Sequence, residues 1–498
     1  MLRSLTLAVF LSAFVPTVAT AQESSPEPFQ IPRVEGRIEV DGVPDEPLWD
    51  QAWTMTLDYE VEPGENIPAP VITEVMVMHD HNRLYVGFRA HDPNPAAIRA
   101  HLADRDDAWN DDWVGVVLDT FNDDRRDYLF AVNPLGVQMD VIEVNLTSST
   151  PWDGIWKSAA EIHDWGWSAE IVIPFSTLRF QRSEGPQIWG FDAIRGYARG
   201  TRAMMGSFPR DRSNNCYLCQ AHKIEGFAGV SPGRNIELVP TLTASRTDER
   251  EDFPEGSMVN GDPDVEVGLT ARWGITPNLT LSGTINPDYS QVEADALQLT
   301  VNRPFAIFYP ELRPFFMEGA DFFETPMNVV YTRMMRDPAW GLKLTGKEGP
   351  HTIGAYVVDD DTTNLIIPGS EGSAFANLEE SNRSTVLRYK YDIGNRFTLG
   401  GIFTNRDGDD YVNRVAGIDG EFRLSARDWL SVQILGSSTR YPQGIVDSFD
   451  QPEGSFEDYA AEIYYSHSTR TWLWWAVLKD IGDDFRADLG FMPQVGYQ

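Results

Sequence analysis

The two cysteines of the chain, Cys216 and Cys219, stand close together in CYLC. In an exported protein this spacing favours a local disulfide. A redox pair would want a surrounding βαβ pattern, which is not seen. Zinc would need further ligands, of which His222 is the near candidate. Haem attachment would need His directly after Cys219, where Gln220 stands. Non-covalent haem would draw on Met139 and His163, residues with ordinary packing roles. Acids crowd into TDEREDFPEG (247–256), DDDTTN (359–364) and RDGDDY (406–411). Such runs serve solvation, or bind calcium where several oxygens converge in space. A glycosidase would need two carboxylates flanking the scissile bond. With Asp and Glu this abundant, no pair is specific, and neither a Ser-His-Asp nor an HExxH pattern is present.

These residues sit in a chain marked for export. Arg3 precedes the apolar run Leu5 to Val15, and Ala19-Thr20-Ala21 is a small-x-small cleavage site. Residues 1–21 are expected to be a signal peptide, with mature protein from Gln22. No later run of about 18 apolar residues exists, so a membrane would be crossed by strands or not at all. The formal net charge of -35 argues against nucleic acid, because phosphate contacts need a basic face.

From about residue 235 onward short segments alternate apolar and polar. Val265, Val267, Leu269, Ala271 and Trp273 share one face, against Glu266, Thr270 and Arg272 on the other; Leu279, Leu281, Gly283 and Ile285 oppose Thr280, Ser282, Thr284 and Asn286. Connections alternate in length: 246–263, 288–337, 360–383 and 441–456 are long, while 274–278, 346–350, 392–396, 425–428 and 467–470 are short. About 11 full strands and a partial one are expected, an antiparallel transmembrane β-barrel over 235–498 in outer-membrane lipid, with short periplasmic turns. Trp273, Tyr389, Tyr391, Phe397, Phe403, Trp429, Tyr464, Tyr465, Trp472, Trp474 and Trp475 are expected in its interfacial girdle. The last segment, RADLGFMPQVGYQ, reads as a strand without the terminal aromatic of barrels, so the barrel is expected to be incomplete.

Residues 34–230 carry strand patterns in VITEVMVMHD (71–80), RLYVGFRAHD (83–92), WVGVVLDTF (113–121), DYLFAVNP (127–134) and WSAEIVIPF (167–175), separated by turn signals. This suggests a β-sandwich and an all-β chain. The run VDGVPDEPLWDQA (40–52), RLYVGFRAHD, DDWVGVVLDTF and WGWSAEIVIPFSTLRF (165–180) resembles family 9 carbohydrate-binding modules. The resemblance implies a jelly-roll-like sandwich that holds sugars between aromatic rings, often with structural calcium. Such sites combine flat aromatic faces with amides and carboxylates. Trp109, Trp113, Trp152, Trp156, Trp165 and Trp167 are the aromatic candidates, with Asn110, Asp111, Asp112, Asn133, Asp140 and Asp153 as polar ones. The ligand-binding set chosen is Trp109, Asn110, Asp112, Asn133, Asp140, Trp152 and Trp156. Trp109 leads it, because the polar loop RDDAWNDD has no packing need for an aromatic.

The stretch 285–326 breaks the strand pattern with aromatics, charges and prolines. Long irregular segments are usually functional or disordered, and the aromatics argue against disorder. Residues 288–326 are expected to fold into the lumen or across the mouth, with Glu311, Arg313, Glu318 and Asp321 pairing with Arg272 and Lys390. With VVYTRMMRDPAWGLKLTGKEG (329–349), the NPD-S-VEAD, PE-RPFF-EG and YTR segments resemble a family of uncharacterised bacterial outer-membrane barrels that carry the same module in front. Together the features point to an outer-membrane protein whose module, on the periplasmic side, binds glycan for capture or transport. An envelope glycan hydrolase and a purely structural anchor are the alternatives.

Overall fold

Strict alternation makes each strand two-faced, so the chain must bury one face of every sheet. The computed structural model describes residues 27–144, 148–181, 183, 185–230, 235–250, 256–287 and 303–498. The expected signal peptide (1–21) and the first part of the insert (288–302) lie outside the described residues.

The first half is a two-sheet sandwich, as its strand pattern implies. One sheet orders Lys157–His163, Gly166–Pro174, Arg83–His91, Thr73–His79 and Trp53–Thr56; the other is built around Gln138–Val144, Arg126–Val132, Trp113–Asp119 and Gln187–Tyr197. Val75, Val77, Val86, Phe88, Val114, Val116, Phe130 and Phe191 interdigitate between them. Each such side chain contributes about 1.5–3 kcal/mol on burial.

The second half is a single 11-stranded antiparallel meander running in order from Ile236–Ser245 to Leu473–Ile481. Its first and last strands do not pair with each other, so among the described residues the sheet is curled but open. The expected faces hold. Val265, Val267, Leu269, Ile285, Leu342, Ile353, Leu387, Ile418 and Ile434 are exposed on the outside, while Thr280, Ser282, Thr284, Thr345, Ser384, Thr404 and Gln433 are buried inside. Of the expected girdle residues, Trp273, Tyr389, Tyr391, Phe403, Trp472 and Trp474 are exposed. Trp429, Tyr464 and Trp475 depart from that expectation: strand register puts them on the inner face, where Trp429 and Tyr464 line a cleft.

The long connections carry structure of their own. Asp248–Arg250 pairs with Met258–Asn260, Thr363–Ile367 with Ala374–Leu378, and Gln443–Phe449 is helical. The final segment is not the strand that its sequence suggests. Residues 482–498 fold back against the inner face, where Arg486 and Asp488 are buried and bonded to Gln451, Asn413, Tyr411 and Tyr441. Charged groups at 486 and 488 need partners when buried, and the inner wall supplies them.

Candidate functional site

The sandwich sits on the short-turn end of the meander. Arg125 donates to the carbonyls of Gly394 (2.9 Å) and Phe397 (3.1 Å). Asn215 donates from its backbone to Ala426 O (2.6 Å) and from Nδ2 to Arg427 O (2.8 Å). Arg470 pairs with Glu65 at 2.6 Å. Cys216 and Cys219 form the expected disulfide, and Arg423 of the sheet donates to Cys216 Sγ at 3.0 Å. The CYLC turn is therefore part of the docking face.

The insert lies inside the mouth beneath this face. Phe315, Phe316, Phe322 and Phe323 pack with Tyr356, Val358 and Val386 of the inner wall. Glu318 is the node. It accepts from Arg179 of the sandwich (2.5 Å), pairs with Arg272 of the wall (3.4 Å) and accepts from Trp152 Nε1 (3.2 Å). Lys343 donates to the backbone carbonyls of Phe315 and Glu318. Asp321 pairs with Arg126 of the sandwich at 3.0 Å. Gly319 takes φ 68°, a left-handed turn favouring glycine, so that residues on both sides of it reach cations of the sandwich. The Glu318–Arg272 pair is the one expected. Glu311 departs from expectation and pairs with Arg313 inside the insert (2.8 Å), and Lys390 takes none of these acids. The part played by Arg126 and Arg179 was not legible, because the sequence does not show which sandwich face docks.

On the sandwich itself, Asp106, Asp140 and Asp153 bring carboxylate oxygens within 4.8 Å of one another. Asp106 Oδ1 accepts the Asp140 N–H (2.7 Å), and Asp140 accepts the Gly154 N–H (2.7 Å) and Arg105 Nε (2.7 Å). Arg105 also pairs with Asp153 at 3.2 Å. One guanidinium thus faces three carboxylates. Burial, reinforced by the charges of Asp140 and Asp153, pushes the Asp106 carboxyl up to about 7. Burial likewise pushes Asp140 up to about 6 against the pull of Arg105, with Asp153 adding to the rise. The donor set, all hard oxygen with residual negative charge, fits calcium.

The remaining candidates separate by burial. Trp109 is half-buried, edge-on to Trp113 at 5.5 Å, and Asn110 beside it is exposed. Trp152 and Trp156 are not platforms: at 4% and 6% exposure they pack against Phe130 in the sandwich core. Asp112 is likewise structural, buried and bound by Arg199 (2.6 Å) and the Arg99 N–H (2.8 Å). Asn133 organises a turn, accepting from the Leu135 and Val137 N–H groups and donating to His101 O and Asp111. A polar group whose hydrogen bonds are all made inside has none left for a ligand. Trp165, stacked on His163 at 4.8 Å and partly exposed, is an aromatic surface that the chosen set omitted.

Residues 40–204 match the carbohydrate family 9 binding domain-like model. Residues 238–340 match a domain of unknown function, DUF5916. No curated protein matches the chain. The family 9-like module is similar to a family 9 carbohydrate-binding module from Caldicellulosiruptor kristjanssonii in complex with cellotriose: 17% identity, 40% of this chain and 93% of that chain, TM-score 0.30. It is also similar to a putative carbohydrate-binding protein from Bacteroides uniformis, at 15% identity over 40% and 99% of the two chains, TM-score 0.34. OprB of Pseudomonas putida aligns over 72% of this chain and 84% of its own at 12% identity, TM-score 0.21.

Proposed function

We propose that this chain is an outer-membrane protein whose family 9-like module binds glycan on the periplasmic side. The observation that carries the reading is the seating of a carbohydrate-family module on the short-turn end of a sheet that is apolar outside and polar inside. A continuous outward apolar band with hydrogen-bonding groups turned inward is what lipid requires of a spanning sheet. Short turns mark the periplasmic end of such barrels, and the module rests on those turns.

Binding is assigned to the Trp109–Asn110 loop, where a partly exposed ring lies beside an exposed amide. A glycan array probed with the full chain in detergent tests this. Trp109→Ala should lose roughly 10-fold or more in affinity, with the melting temperature little changed. Unfolding on that substitution would show Trp109 to be core. Sidedness has its own test. Protease added to intact cells should leave the module whole and cut it only once the outer membrane is permeabilised; shaving from intact cells would place it outside.

The Asp106–Asp140–Asp153 cluster is assigned to calcium, as a stabilising ion of the module. Both raised carboxyls bind protons in the folded state at pH values where the unfolded chain has released them. Their contribution to stability without calcium therefore falls as pH rises from about 4 through about 7. Calcium replaces those protons. Its upward shift of the melting temperature should be largest near pH 8 and vanish near pH 5, and be absent in Asp140→Asn. An equal shift at both pH values would reject the site.

An anchoring role without transport is the second reading. The insert and residues 482–498 occupying the inside of the sheet favour it.

A further inference from the structure

A cleft of about 680 Å³ lies between the insert and the inner wall. Its size falls in the range of small-molecule sites. Phe316 and Phe323 of the insert line it together with Tyr356, Trp429 and Tyr464 of the wall. Flat aromatic surface of this extent is unusual inside a polar-lined sheet, where neighbouring inward positions are Thr, Ser and Gln. It cannot be serving lipid, because it faces away from the outer band.

The polar lining is mixed in sign. Glu311, Glu324, Glu421, Glu462, Lys343 and Lys390 border the cleft; of these Glu311 is paired with Arg313 at 2.8 Å and Glu462 with Lys479 at 2.6 Å. One donor there lacks a partner among the described residues: the Tyr356 hydroxyl is buried with no hydrogen bond, while Lys390 is a partly exposed cation of the lining. A buried donor without a partner is uncommon in a folded protein and calls for an acceptor. Aromatic faces stack on the C–H faces of a sugar ring, and donors and acceptors together suit its hydroxyls. With Glu311 and Glu462 neutralised by Arg313 and Lys479, the other two glutamates and the two lysines of the lining balance in sign and favour neither an anion nor a cation.

We propose that this cleft is a second ligand site, inside the sheet, for a neutral polyhydroxylated ligand the size of one to a few sugar units. It rests on the reading that the protein handles glycan, but it is physically separate from the Trp109 loop. Trp429 and Tyr464 supply the stacking surface, and Tyr356 and Lys390 donate to ligand oxygens.

Calorimetric titration of the full chain in detergent with cellotriose and with maltotriose tests the proposal. Four proteins are compared: wild type, Trp109→Ala, Tyr356→Phe and Trp429→Ala. Tyr356→Phe keeps the ring and removes only the unpartnered hydroxyl, so it should fold like wild type. The expected result is saccharide binding that persists in Trp109→Ala, weakens roughly 10-fold in Tyr356→Phe and is lost in Trp429→Ala. Binding abolished by Trp109→Ala and unchanged in Tyr356→Phe and Trp429→Ala would overturn the inner site while leaving the module's glycan reading standing. Absence of heat with both sugars in every protein would overturn it as well, and the array would then judge the module separately.

Discussion

Glu318→Ala should lower the unfolding free energy by about 3–5 kcal/mol and raise the conductance of the protein in planar bilayers. The carboxylate is shared by Arg179 of the module and Arg272 of the sheet, with Trp152 as a third donor. Burial alone would raise its carboxyl, but Arg179 and then Arg272 hold it well below the usual carboxylate range. Removing it leaves two guanidinium groups facing one another in a confined space, which costs more than the pair itself is worth. The insert then loses its main tie to the module, retaining Arg126–Asp321. The depressed carboxyl also sets a pH signature. Its contribution is present above the unfolded value of about 4.3 and fades as pH falls through the folded value. Glu318→Gln should therefore flatten the acid limb of the melting curve relative to wild type. Melting and conductance both unchanged in Glu318→Ala would mean that the insert is held by its phenylalanines alone.

Trp152→Ala should cost a similar amount, about 3–5 kcal/mol, and leave glycan affinity of the folded protein intact. The indole fills the sandwich core against Tyr128 (5.2 Å) and Phe130 (5.8 Å), so truncation leaves a cavity that rigid neighbouring strands cannot close. Trp152→Phe separates packing from hydrogen bonding. It restores most of the ring contact but not the Nε1 donor to Glu318, and should recover all but about 1 kcal/mol. Equilibrium unfolding in detergent reads both variants. A Trp152→Ala protein that melts like wild type but no longer binds glycan would return Trp152 to the ligand site.

Trp109 and Trp152 show how differently two tryptophans in polar stretches can be placed. RDDAWNDD is a polar stretch, and Trp109 in it is half-buried, its ring edge-on to Trp113 beside a core cluster. Trp152 stands in an equally polar context, TPWDG, yet is core, because Tyr128 and Phe130 arrive from a neighbouring strand. Asp112 and Asn133 looked equally free and are consumed by Arg199 and by a turn. The acid cluster was half legible: Asp140 and Asp153 were among the polar candidates, but Asp106 joins them only through the fold.

What the sequence by itself determined is everything that repeats locally: the strands, their greasy and wet faces, the alternation of long and short connections, and the Cys216–Cys219 pairing. Side-chain direction in a strand depends on its own residue number, so periodicity suffices. Only the tertiary structure decided which distant charges meet. Arg126 and Arg179, Arg272, and Glu318 with Asp321 come from sandwich, sheet and insert, and their encounter follows from how three bodies dock. It likewise decided that residues 482–498 leave the sheet and turn inside, since their buried charges find partners only on the assembled inner wall.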